Sequence, residues 1–235
     1  MKRVAFLVLF FTGFSTISYS KSSYSSIWLD YNHSNKLSEK WSFQSDYGYR
    51  FRPNYTYNWQ RLHARTALVY SFPKVKWLAG AAVFAVFEPQ SFLDFEIRPW
   101  QGLKFGWKPT PKWKVSNFVR IEERFHFLGT DDGSAFNYFL FILRYSLTVK
   151  YAFNSPKDNH GKWVGFVGFE PFILLNDNQQ YVSITKSRTT IGMQYHWSKK
   201  TQVKLGYIYQ PKNIPIVQNT VFYSHIIRLS VVQKF

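Results

Sequence analysis

Apolar and polar residues alternate with a period of two along most of this chain, and helical periodicity is absent. Between 112 and 127 the odd positions carry Trp113, Val115, Val119, Ile121, Phe125 and Phe127. The even positions carry Lys112, Lys114, Ser116, Arg120, Glu122, Arg124 and His126. The next segment repeats the scheme, with Phe139, Phe141, Leu143, Tyr145, Leu147, Val149, Tyr151 and Phe153 opposite Arg144, Ser146, Thr148 and Lys150. The segment before it sets Leu93, Phe95, Ile97, Leu103, Phe105 and Trp107 against Asp94, Glu96, Arg98 and Lys104. Successive side chains of a strand point to opposite faces, so each segment predicts a strand with one apolar and one charged face. Strands are predicted near 25–33, 41–52, 59–72, 77–87, 93–107, 113–127, 137–153, 163–175, 183–197, 201–210 and 221–235. No linker or composition shift divides them, and residues 21–235 read as one domain.

The connections fall into two alternating classes. Segments 73–76, 108–112 and 198–200 are short, polar and rich in Pro or Lys, with 154–162 somewhat longer. Between them lie 53–58, 88–93, 129–136, 176–182 and 211–220. Trp41, Trp77, Trp107, Trp113, Trp163 and Trp197 flank the first class, and all share the apolar parity of their strands. Tryptophans gathered at one end on one face are what an interfacial aromatic girdle requires.

Composition decides which face is outside. Phe, Tyr and Trp make up 21% of the chain, more than a small water-soluble sheet could enclose, while a mean hydropathy of −0.27 opposes a helical membrane protein. An Arg or Lys facing lipid near the midplane costs about 2–4 kcal/mol. Several strands carrying three or more basic residues on that side would exceed the roughly 5–15 kcal/mol by which a domain is stable. The charged face therefore lines the interior. The expected fold is all-β: a transmembrane antiparallel up-and-down β-barrel. Single-chain bacterial barrels have an even number of strands, so 12 are expected, with 10 plus an N-terminal insert over 21–33 as the alternative.

The ends of the chain fit an outer-membrane address. Lys2 and Arg3 precede an apolar run over 4–14 and the small-residue site Ser18-Tyr19-Ser20, which predicts a secretory signal peptide over 1–20. Ile227, Leu229, Val231 and Phe235 alternate to a terminal aromatic, like the last-strand signal read by the outer-membrane assembly machinery, with Gln233 interrupting.

The inward face carries the candidate chemistry. Arg50, Arg65, Glu96, Arg98, Arg120, Glu122, Arg124, Arg144, Glu170, Arg188 and Arg228 lie at similar heights from the tryptophan end and predict a belt of alternating charge. Two readings stay open: an ion-pair network that stiffens a narrow lumen, and a selectivity constriction. Inward Arg52, Arg61, Lys104, Lys150, Lys186 and Lys204 bring the basic side to fourteen, against six acids once Asp30, Asp46 and Asp94 are included. That excess favours small anionic solutes in any aqueous path. Lipid and the phosphates of lipopolysaccharide are the expected neighbours at the rims. Nucleic acid is not, because the basic residues alternate along the strands of an exported chain.

Nothing in the sequence calls for catalysis. With no cysteine, disulfides, thiolate zinc sites, Cys nucleophiles and a lipid-modified N-terminal Cys are excluded. There is no G-x-S-x-G elbow, and His33, His63, His126, His160, His196 and His225 read as girdle or lumen residues. His196-Trp197-Ser198 has hydrolase-like spacing but sits at a short turn. Asp131-Asp132-Gly133 reads as an ordinary turn rather than a calcium loop. No metal or cofactor is expected. A closed structural barrel is the second functional reading and a lipid-modifying enzyme the third.

Glu96-Ile97-Arg98-Pro99-Trp100-Gln101, Arg120-Ile121-Glu122-Glu123-Arg124-Phe125, Arg144-Tyr145, Phe169-Glu170-Pro171-Phe172, Ser187-Arg188 and Gly206-Tyr207 together resemble a bacterial outer-membrane family catalogued as domain of unknown function 2490. Their order and spacing, over most of the chain after residue 20, carry the likeness. Members usually have Asn where Ser187 stands. The resemblance implies a barrel and an outer-membrane address, and no known activity. Pro99 and Pro171 cannot donate to a ladder, so a bulge or strand edge is expected at each.

Overall fold

A computed structural model of the chain describes residues 22–53, 60–88, 91–129, 135–154, 160–176, 183–214 and 220–235. The leader predicted over 1–20, the Asp131-Asp132-Gly133 turn and most of the second class of connections lie outside the described residues. Eleven strands follow in chain order: β1 (Ser22–Lys36), β2 (Trp41–Phe51), β3 (Gln60–Ser71), β4 (Val75–Glu88), β5 (Ser91–Trp107), β6 (Trp113–Gly129), β7 (Ala135–Ala152), β8 (Trp163–Leu174), β9 (Ser183–His196), β10 (Thr201–Ile214) and β11 (Thr220–Lys234). Each overlaps a segment predicted from the alternation. Neighbours in sequence pair antiparallel, and β1 closes the sheet on β11.

The closure corrects the expected count of 12 strands, and equally the alternative of 10 with an insert. β1 is a full wall strand, and it pairs β11 in parallel from Ser22↔Phe222 to Ser34↔Lys234 without a register shift. An even number is needed only when first and last strands meet antiparallel. A parallel seam closes an odd barrel and leaves no edge to template aggregation; odd counts are known among mitochondrial channels. Parity survives the seam because parallel partners point to the same side: Trp28 lies beside Arg228 and Asp30 beside Ser230 on the inside, Leu29 beside Leu229 on the outside.

The outer face is predominantly apolar, with Gln101 a polar exception within it. Leu29, Leu205 and Leu229 form one continuous row across three strands, and Leu62, Val83, Phe125, Phe139, Val167 and Ile191 extend the surface. Glu123 interrupts it ten residues from Trp113, about 33 Å along the strand and about 25 Å in height once strand tilt is allowed for, near the upper limit of such an apolar band. Trp41, Trp107, Trp113, Trp163 and Trp197 are exposed at the end bearing the short turns, and Trp77 is half-buried there. Three of them pack on a cross-strand tyrosine: Trp41 on Tyr70 at 4.9 Å, Trp113 on Tyr151 at 4.9 Å and Trp163 on Tyr195 at 4.7 Å between centroids. Phe235 ends the chain at the same level, its amide donating to the Ser34 carbonyl at 2.9 Å and its ring edge-on to His33.

The prolines leave gaps rather than uniform bulges. Pro99 pairs Ala81 in register, while the β5–β6 ladder skips from Ile97 to Trp100. The β7–β8 ladder likewise skips the pairs between Arg144 and Leu147, opposite Pro171, and the pairing of β8 with β9 shifts register between Phe172 and Ile173. A third gap falls at Pro211 between β9 and β10. Each gap adjoins a lumen side chain, Arg98, Glu170 or Gln210, so the wall is irregular at the height of the belt.

Candidate functional site

The lumen is built from alternate residues of every strand. One wall, on β3 to β6, is apolar: Ala67, Val69, Leu78 and Trp100 form a buried cluster with Phe118 against it. A second cluster joins Trp28, Ile208 and Ile226. Between these walls lies a cavity of about 460 Å³.

Three glutamates organise the charge belt. Glu122 is buried to 3% exposure and holds Arg124 at 2.5 Å, Arg144 at 2.5 Å and Arg120 at 3.0 Å, with Arg98 at 3.8 Å. Glu96 accepts from Arg61 at 2.6 Å and from both Nε and Nη2 of Arg98. Glu170 accepts from Arg144 at 2.6 Å and faces Arg188 at 3.6 Å and Arg120 at 3.9 Å. Arg144 thus bridges Glu122 to Glu170, and Arg98 bridges Glu96 to Glu122, making one connected network. The forked guanidinium with its five donors is what lets each arginine serve two carboxylates.

A second group occupies β1 to β3 and β11. Asp46 accepts from Arg65 and, at 3.0 Å, lies against Nε2 of His63, which is 3.6 Å from Asp30; Arg228 donates to Asp30 at 2.5 Å. Gly48 makes room for it: a Cβ there would lie 2.0 Å from the His63 ring and 2.3 Å from Asp30.

The eleven residues predicted for the belt all line this interior. Ten of them fall into the two carboxylate groups. Arg50 does not; it lies over Trp28 at 4.0 Å and makes no ion pair among the described residues. Parity counting passed over the rings that separate the guanidiniums. Phe84 carries Arg98 at 3.9 Å and Arg61 at 4.2 Å, and Phe172 carries Arg144 at 4.1 Å and Arg188 at 4.8 Å. Cations attracted to ring faces gain up to about 2 kcal/mol when desolvated, so these rings hold like charges close together. The signal was present: Phe84 and Phe172 share inward parity with Ala82 and Glu170.

The histidines divide between lumen and rim. His63 and His126 face inward, the latter 3.2 Å from Glu96 and stacked on Tyr138. His33 packs on Phe235, His196 meets the Gln194 amide at 2.7 Å, His160 lies 2.6 Å from the Trp197 carbonyl, and the Tyr207 hydroxyl pairs with Nδ1 of His225 at 2.6 Å. Among the described residues no group of three His, Asp or Glu could hold a metal ion.

Comparison with known proteins gives one match. Residues 25–219 fit the profile of a family described as "Protein of unknown function (DUF2490)". No curated protein matches, and no solved structure does.

Proposed function

From the premise that the chain belongs to the DUF2490 family, and from the geometry of its lumen, we propose an outer-membrane β-barrel with an anion-preferring interior, routed there by a leader over 1–20 and inserted through its last strand ending at Phe235. A closed sheet presents no free strand edge to hydrocarbon, and an apolar outer face bounded by exposed tryptophans suits such a setting. One observation carries the solute preference: the glutamates of the belt are each shared among several arginines, while further basic side chains line the cavity without an acid. Rings of Arg and Lys select anions in pores. In planar bilayers under a KCl gradient, the reversal potential is expected to lie toward that of chloride. Arg98→Ala should raise conductance by removing a side chain from the belt. A potential toward potassium would overturn the preference.

The depth of burial at the belt favours a second reading. Arg120, Glu122, Arg124 and Arg144 are nearly inaccessible and Phe172 wholly so, which suits a barrel closed at that height that contributes to the envelope by its presence and by rim contacts with lipopolysaccharide. Wild-type protein without conductance, in bilayers where Arg98→Ala conducts, would select this reading. A lipid-modifying enzyme has less support, since the outward His225 is engaged by Tyr207.

A further inference from the structure

Below the belt, toward the short turns, the lumen carries a second tier of charge of one sign. Lys104, Lys114 and Lys150 each stand six residues from a belt arginine on their own strand, namely Arg98, Arg120 and Arg144. That places the tier about 20 Å along the strands from the belt. Lys204 on β10 completes it, and all four line the cavity. The register sets like charges directly opposite: Lys114 faces Lys150, and Lys104 faces Lys76. Such pairs are destabilising across a ladder, and here no carboxylate separates them as Glu122 does above; the Phe166 ring lies 5.9 Å from Lys150 alone. Among the described residues, none of the four lies within ion-pairing distance of an Asp or Glu. Lys150 donates to the Gln194 side chain at 3.1 Å. Hydroxyls of Ser116, Ser146 and Thr148 line the same cavity.

We infer that this lysine tier is a binding site for a compact multivalent anion, of the di- or triphosphate class. In the belt three glutamates and the rings of Phe84 and Phe172 hold the arginines, whereas the four lysines line the cavity without an acid and call for an anion carrying several negative charges. The closed wall keeps lipid headgroups out of the cavity, so the ligand is a free solute entering from the turn end. The inference rests on the anion-preferring reading above and adds the place and the class of solute.

Calorimetric titration of pyrophosphate into the refolded barrel, in zwitterionic micelles at low salt, tests it. Wild type is expected to bind. Lys104→Gln/Lys150→Gln should weaken binding at least tenfold. Lys40→Gln/Lys74→Gln, which removes the same charge from exposed turns, should leave it unchanged. Far-ultraviolet circular dichroism on each variant confirms that the barrel is folded. Equal affinity in all three proteins, an equal loss in both variants, or no binding by wild type would overturn the inference. Reversal potentials on the same preparations separate the two proposals: with lysine-independent binding but anion selectivity, only the lysine site falls, whereas cation selectivity removes the reading on which it rests.

Discussion

Glu122→Gln is expected to lower the unfolding free energy of the barrel by about 3–5 kcal/mol, the usual consequence of removing one partner from a buried ion pair. The substitution keeps the volume and one carbonyl acceptor but deletes the charge on which Arg120, Arg124 and Arg144 converge within 3.0 Å. These guanidiniums cannot shed their protons and are nearly inaccessible, so the lost partner is poorly replaced. Arg144 would keep Glu170, and Arg98 would keep Glu96, so the loss falls mainly on Arg120 and Arg124. Urea unfolding in lipid vesicles, followed by tryptophan fluorescence, measures it. Glu123→Gln, one residue along on the outer face, provides the contrast and should change stability by less than about 0.5 kcal/mol. Equal effects at the two positions would mean that the belt contributes little.

Leu205→Arg carries the second large effect and addresses the opposite face. Leu205 is 55% exposed and flanked by Leu229 and Met193, four residues into β10 from the girdle end and within the apolar band. On a face wetted by water, an exposed leucine changes to arginine at nearly no cost, within about 0.5 kcal/mol. On a face in hydrocarbon the same change costs about 2–4 kcal/mol near the midplane. The same urea titration reads it, and the two expectations do not overlap.

Much of this architecture was legible because a period-two code is local. The alternation at Trp113–Gly129 and Ala135–Ala152 located both strands and assigned Arg120, Glu122, Arg124 and Arg144 to one side before any pairing was known. The girdle followed from parity and turn positions alone. Strand number was not local in this sense. All eleven segments could be read, yet the direction in which β1 meets β11 depends on two segments about two hundred residues apart, and nothing in Ser22–Lys36 announces a parallel partner. The rule of even numbers therefore overrode a correct count.

The site was legible in outline and not in partnership. Height counting gathered Arg98, Glu122 and Arg188 near one level, but could not tell that Glu122 would be shared among arginines while Arg50 rested on Trp28. Those outcomes depend on side-chain reach across a curved wall, where a stagger of one or two residues changes every neighbour. Phe84 and Phe172 were overlooked for a related reason. Large apolar residues were expected outside, and only a ring's partners, not its type, reveal that it separates two guanidiniums inside.

The membrane-facing orientation of the sheet is the claim on which the transport and anion readings both depend, and a chain without cysteine is well suited to a site-directed test. Spin labels attached at Leu205→Cys and Ile191→Cys, and at the lumen positions Thr190→Cys and Thr148→Cys, can be examined in lipid vesicles by their collisions with dissolved oxygen and with a polar nickel reagent. The account predicts that labels at 205 and 191 meet oxygen freely and nickel scarcely, with the reverse at 190 and 148. Labels at 205 and 191 that collide readily with nickel, and labels at 190 and 148 that favour oxygen, would contradict it.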